Sequence, residues 1–354
     1  MKRIFWVIMT LLICMGGCHK NKTPLDKKDT FRVLVKKNGK YGYCARNGDL
    51  VIPIQFEHAS IFSEGLAAVR VNNKDGFIDP SGNIVIKPRF DATGPFREGK
   101  AAVSFGNRWG YIDRTGNLIT ESRFIATFAF CEGLASVVVP QPKGEPKAGY
   151  IDGKGTFAIG TRFDDASIFS EGLAAVKIGK KKGYIDHSGT LVVPAVYDEA
   201  RPFHDGLAQV EINGKYGLRG FIDKTGKMVI PAQYAEVTNF HDGVAAVSMK
   251  KTWQLIDRTG KPILNREFDA PTVFSEGLAP VVVDKKVGYM DMKGDMVIAP
   301  KFNSGSIFVD GIAPVKKGDK CGFIDKQGNM VIDPEYEWDQ RTIDMFVSYY
   351  TTFK

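Results

Sequence analysis

Histidine and cysteine, on which most nucleophilic, acid–base and metal chemistry depends, are scarce here, at five of each in 354 residues. No G-x-S-x-G elbow, H-E-x-x-H pair, P-loop or dinucleotide fingerprint occurs, so none of the common nucleophile, zinc or phosphate sites is written locally. Cys14 and Cys18 lie at the amino terminus, and Cys44, Cys131 and Cys321 are an odd remainder at unrelated spacings, which argues against a disulfide framework. Cys44 stands where the repeated "GYID" phrase has isoleucine, so a buried apolar role is expected for it. The apolar run from Ile4 to Met15 falls short of the roughly 20 residues that cross a bilayer. Charge is not blocked either: 48 basic and 40 acidic residues leave a formal +8 spread along the chain. Such a balance favours anionic surfaces but makes no nucleic-acid stripe, and no nucleic-acid partner is expected.

What is present begins with "MKRIFWVIMTLLICMGGC", a basic pair, Lys2 and Arg3, followed by an apolar run and two small residues before Cys18. This resembles the lipobox of bacterial lipoprotein precursors, and the resemblance implies that residues 1–17 are a leader and that Cys18 carries lipid. The expected location is then the bacterial cell envelope, with the membrane reached through the N-terminal lipid. A plain secretory leader, cleaved nearby, is the alternative. Without the leader the formal charge falls from +8 to +6. Residues 18–30 have almost no apolar content and suit a flexible tether.

Beyond the tether, 44% hydrophobic and 25% charged content indicate a folded bulk. One sentence is written again and again. The glycine of "GFID" falls at Gly42, Gly76, Gly110, Gly149, Gly183, Gly220, Gly288 and Gly322, and Gln254 replaces it in "WQLID". The glycine of "FSEG" falls at Gly65, Gly99, Gly133, Gly172, Gly206, Gly243, Gly277 and Gly311. The period is 34 residues, broken only by insertions within Val137 to Ala148 and Glu211 to Arg219.

A 34-residue period also suits helical repeats, but several glycines and usually a proline per unit, at about 1 and 3 kcal/mol each, would break two helices. "LAAVRV" alternates instead, with Ala67, Val69 and Val71 as the constant apolar face of a strand. "GFIDPSGNIVIKP" reads as a second strand, a type I turn over Asp79 to Gly82, and a third strand closed by Pro88. An irregular crossing, "RFDATGPFREG", leads to the next unit. Each unit is a three-stranded meander too small to offset its own ordering, so neighbours must share burial.

The pattern G-[YF]-I-D-x-x-G-x-[ILM]-[VI]-[IV]-x-P-x-[FY]-[DE], followed by F-x-[ED]-G-[LIV]-A-x-V, resembles the bacterial WG-repeat family, also called KWG repeats. It covers residues 31–338 in about nine units, although the eponymous dipeptide survives only as Trp109-Gly110. The resemblance implies an exported protein that binds other molecules. The expected fold is all-β, a tandem array of three-stranded meanders that either coils as an open, solenoid-like superhelix or closes as a toroid or propeller-like ring. Propellers usually have 4 to 8 four-stranded blades, which counts against the closed form. Residues 339–354 are expected to cap the exposed end of the array, with a last strand in "TIDMFVSYYTTFK".

The recurring carboxylates invite a metal or catalytic reading. Asp79, Asp113, Asp152, Asp186, Asp223, Asp257, Asp291 and Asp325 hold the first turn position, where a carboxylate accepts local N–H groups. Glu64, Glu98, Glu132, Glu171, Asp205, Asp242, Glu276 and Asp310 precede a glycine suited to positive φ and should cap a loop. Neither series converges six to eight oxygens on one point, as calcium needs. His204 and His241 share one slot in "FHDG", which holds Ser63, Arg97 and Cys131 elsewhere and so should be exposed. No catalytic, cofactor or metal residue is expected. The two insertions are the candidate partner-binding loops, through Gln141, Lys143, Glu145, Lys147, Lys215, Tyr216 and Arg219. The function this supports is a non-catalytic scaffold for a protein, peptide or glycan; a structural spacer or surface-layer element is the alternative.

Overall fold

A computed structural model describes residues 31–212, 217–249 and 251–345. The second unit shows how the sentence folds. A two-residue strand, His58–Ala59, pairs with Ala67–Val71, which pairs with Lys74–Ile78, which pairs with Ile84–Phe90, all antiparallel. The chain makes nine such sheets of three or four strands, numbered here as blades 1 to 9 in chain order. The crossing is therefore not wholly irregular, because in most blades two of its residues extend the sheet. In blade 3, Ala92 pairs with Ser104 in this way, and Gly94 N–H then donates to Ala102 O of the same blade at 2.8 Å.

The alternation expected for the first strand does not appear in its burial. Ala67, Ala68 and Val69 are all buried, and so are Gly76, Phe77 and Ile78 in the middle strand. The reason is that each sheet has a neighbour on both sides, so both faces exclude water. Core clusters accordingly span two blades. Leu66, Ala68, Phe77 and Ile86 of blade 2 pack with Phe96, Val103 and Ile112 of blade 3. Shared burial, inferred from the size of one unit, is how the core is built.

Pro88 does not close its strand; it sits inside Ile84–Phe90. That strand is the outer edge of its sheet, where a missing N–H is tolerated, and a bulge falls opposite Gly76. The bulged backbone passes so close that a Cβ on Gly76 would lie 2.5 Å from Ile86 O. Only glycine admits that approach. In blade 7, where Gln254 stands in its place, residues 262–268 form no edge strand and touch the sheet through isolated bridges, Ile256 to Pro262 and Trp253 to Phe268.

The array closes on itself. Arg46 of blade 1 donates to Asp310 O of blade 9, as Arg114 of blade 3 donates to Glu64 O of blade 2 at 2.8 Å. Gly39 N–H of blade 1 donates to Glu337 Oε1 at 3.0 Å, as Gly106 N–H donates to Asp91 Oδ2 at 2.5 Å. A side chain on Gly48 would meet Ile332, as one on Gly82 would meet Ile52. A cluster joining Val33, Val35 and Cys44 to Ile312, Phe323 and Ile332 fills the space between. The result is a nine-bladed ring, the closed alternative, and no strand is exchanged between the described ends.

Residues 340–345 are helical, in place of the strand expected from residue 342 onward, and residues 346–354 lie outside the described residues. This segment faces no open end. It lies against blade 1, where Asp339 accepts the Tyr41 hydroxyl at 2.9 Å and Ile343 joins the closing cluster. It thereby occupies the place that a crossing takes in other blades. Among the described residues, no helix is long and apolar enough to cross a membrane.

Candidate binding surface on the two faces of the ring

Antiparallel meanders place alternate turns at opposite ends of the strands. The "DxxG" and "FxEG" turns of blades 2 to 9, with the Ala45 to Gly48 turn of blade 1, share one face, the turn face; the hairpin tips between the first two long strands share the other, the tip face.

On the turn face the acids are consumed by structure. Asp79 Oδ1 accepts Ser81 N–H and Asn83 N–H, both at 2.9 Å. In blade 3 the Thr115 hydroxyl also donates to Asp113, at 2.6 Å, and holds that carboxyl below the usual carboxylate range. The second acidic series caps loops as expected, but in the next blade. Glu64 accepts Gly99 N–H, Glu98 accepts Gly133 N–H, Asp205 accepts Gly243 N–H and Glu276 accepts Gly311 N–H, each between 2.9 and 3.0 Å. The acid itself is left-handed, with φ of 51° at Glu64 ahead of 77° at Gly65. A basic side chain from the following blade meets many of these acids: Lys224 reaches Glu171 at 3.1 Å, Lys326 reaches Glu276 at 3.1 Å, and His187 Nε2 lies 3.3 Å from Glu132. Where blade 4 has Gly153 and no cation, Lys100 of blade 3 bends to Glu98 O at 2.8 Å and lies beside that glycine.

The slot shared by His204 and His241 is not exposed, contrary to its variable composition. Ser63, Cys131, Ser170, Ser275 and Val309 are buried there. Ser63 Oγ donates to Phe96 O and Ser170 Oγ to Phe203 O, both at 2.6 Å, so the slot tolerates any group that suits an inter-blade seam. Among the described residues, no three His, Cys, Asp or Glu side chains gather as a metal site would require.

The nucleophile-bearing groups are likewise engaged. Tyr43 donates to Ser60 O and Tyr150 to Ser167 O, both at 2.7 Å and both across a seam, and burial pushes these phenols far above their ordinary range. Cys44 is fully buried, with Sγ 3.2 Å from Tyr336 Oη, and burial pushes its thiol up. The Cys321 thiol is pushed up to about 12 by burial. These are seam-filling groups, as expected for Cys44.

The tip face carries the insertions. The loop 140–146 projects from blade 4, and in blade 6 the strands Ala208–Ile212 and Leu218–Ile222 end and begin at the same face, with one blade between them; residues 213–216 lie outside the described residues. Lys143 and Glu145 are exposed and Gln141 is half-buried. Lys147 is tied to Asp164, and Arg219 to Glu211 at 3.2 Å and to Ala235 O at 3.0 Å, which makes these two struts of their loops rather than free contacts. Lys215 and Tyr216 lie outside the described residues, as does Cys18.

Two features of this surface escaped the sequence. Apolar side chains are exposed at several tips, among them Ile178 at 45%, Met249 at 65% and Val282 at 51%. Others line the edge strands, where Leu50, Ile84 and Leu191 are exposed and only the third and seventh positions are buried. Counting burial from the edge inward would have found the second set; the first needs the fold, because tips are scattered through the chain.

The profile described as "WG containing repeat" matches residues 41–74, 76–109, 109–139, 149–181, 183–216, 220–253, 255–286, 288–321 and 322–346. Among solved structures, that of a eukaryotic initiation factor is similar at TM-score 0.56 and 10% identity, covering 89% of this chain and 93% of that one. Kluyveromyces lactis Hsv2p aligns at TM-score 0.39 and 12% identity over 64% of this chain and 89% of its own. A puromycin hydrolase aligns at TM-score 0.35 and 12% identity over 86% of this chain and 62% of its own. The first likeness concerns the fold alone, and the other two carry no argument. No curated protein matches the sequence. Nine matched units along one closed ring make this chain a member of the WG-containing repeat family.

Proposed function

We propose that the protein is a non-catalytic binding scaffold, held at the bacterial cell envelope by lipid on Cys18, whose tip face receives a protein, peptide or glycan. The observation that carries this reading is that both places where the repeat is expanded, the loop 140–146 and the join between Ile212 and Leu218, fall at one face of an otherwise regular ring. Repeat scaffolds place recognition in irregular loops while uniform blades hold them in position. The engaged state of the tyrosines, cysteines and turn carboxylates supports a role without chemistry.

The test is crosslinking in the native cell followed by mass spectrometry, repeated with residues 140–146 shortened to the two-residue tip of other blades. A partner lost on shortening supports the scaffold. An unchanged set of crosslinks, with activity dependent only on tether length, supports a spacer instead.

A further inference from the structure

The charge that is spread evenly along the chain is sorted by the fold. Exposed lysines and an arginine near the hairpin tips of most blades land on one face. Lys40, Arg108, Lys143, Lys180, Lys251, Lys285, Lys317 and Lys320 are exposed there, in blades 1, 3, 4, 5, 7, 8 and 9. None of them has an ion pair among the described residues; neighbours such as Lys37, Lys74 and Lys181 are matched to carboxylates on the same face, while the two recurring acid series, from Asp79 and from Glu64, lie on the opposite, turn face. The exposed apolar tips stand among them: Phe105 ahead of Arg108, Ile178 ahead of Lys180, Met249 ahead of Lys251, Val282 ahead of Lys285.

Free cations alone would suit any polyanion. Cations interleaved with exposed apolar tips on one rim suit an interface that is anionic at its surface and apolar just beneath it. We infer that the tip face docks onto an anionic lipid bilayer surface, independently of the partner that the expanded loops receive. Lysine predominates over arginine, so the surface is recognised by its charge density rather than by one headgroup. The described chain enters blade 1 from the turn face, where Arg46 lies 4.4 Å over the Phe31 ring. Residues 18–30 can reach roughly 40 Å when extended, more than the about 17 Å of a five-residue strand. A ring tethered through Cys18 can therefore still lay its tip face on the bilayer.

The test uses residues 31–354, which contain every blade of the closed ring and no lipid, in sedimentation with phosphatidylcholine vesicles prepared with or without phosphatidylglycerol. Binding is expected only to the anionic vesicles. The variant K180E/K251E/K317E should bind them on the order of a hundredfold more weakly, at about fivefold per cation removed. The turn-face control K154E/K261E/K293E should bind as the parent does. The variant I178S/M249S/V282S should lose vesicle binding while retaining dextran sulfate, a polyanion without a bilayer. Equal binding to neutral vesicles, equal losses in the two charge variants, or binding to dextran sulfate with none to vesicles would each overturn the inference. Unchanged melting temperatures would show that the substitutions left the ring intact.

Discussion

The Glu64 carboxylate holds the turn of the next blade: Oε1 accepts Glu98 N–H at 2.7 Å and Oε2 accepts Gly99 N–H at 2.9 Å. The two acids are 34 positions apart and do the same work in successive blades, so each is both a clamp and a clamped residue. Replacing Glu64 by alanine leaves two turn amides without their acceptor. The expected loss is about 1–2 kcal/mol, as for hydrogen bonds to a partly exposed carboxylate, read by urea unfolding against an Asp319→Ala control at the exposed tip of blade 9.

Acid should unfold the ring through the turn carboxylates. Asp113, Asp223 and Asp257 are held below the usual carboxylate range by the hydroxyls of Thr115, Thr225 and Thr259. A lowered folded value means that their contribution is complete above the unfolded value near 4 and is lost as pH falls through the lower folded value. Melting temperature is expected to be flat from neutrality to about pH 5 and to fall below about pH 4. In Asp113→Asn/Asp223→Asn/Asp257→Asn that fall should be shallower.

Gly76 is irreplaceable for a steric reason that applies equally across the repeat. A methyl group there would meet Ile86 O at 2.5 Å and Pro88 N at 2.6 Å. Gly76→Ala is expected to destabilise by about 1–3 kcal/mol, as overpacking does. Hydrogen exchange should locate the damage in Ile84–Phe90. Gln254→Gly in blade 7 is the converse, and should raise amide protection over residues 262–268.

The closing contacts should behave as a latch. Asp339 receives Tyr41 at 2.9 Å, Thr342 at 2.8 Å and Lys36 at 3.4 Å. Asp339→Ala removes all three, and a loss of about 1–3 kcal/mol is expected from the partners left behind. Exchange should rise first in blades 1 and 9. A uniform rise around the ring would contradict closure at this seam.

The period, the turn aspartates and the strand-rich units were legible because each is a local fact about a few consecutive residues. Asp79 caps its own turn, and four letters are enough to say so. Ring closure was not legible, since it rests on contacts such as Gly39 with Glu337, separated by 298 positions, and the repeat is the same for an open or a closed array. The short strand His58–Ala59 escaped because two residues carry no periodic signal. The slot of Ser63 looked exposed because its occupants vary, yet what varies is only how a buried seam is filled. The sorting of Lys180, Lys251 and Lys317 onto one rim follows from strand topology, which composition does not contain.

Because blade 9 meets blade 1 through two of the kinds of bond that join other pairs, Arg46 to Asp310 O and Gly39 N–H to Glu337, the peptide's starting point leaves little mark on the ring. New termini could be opened at any exposed hairpin, with the native ends spliced, and the same circle of blades would re-form. Translation imposes an order on the units, and the folded state retains it mainly in the two long loops, the glutamine of blade 7 and the segment that carries the tether.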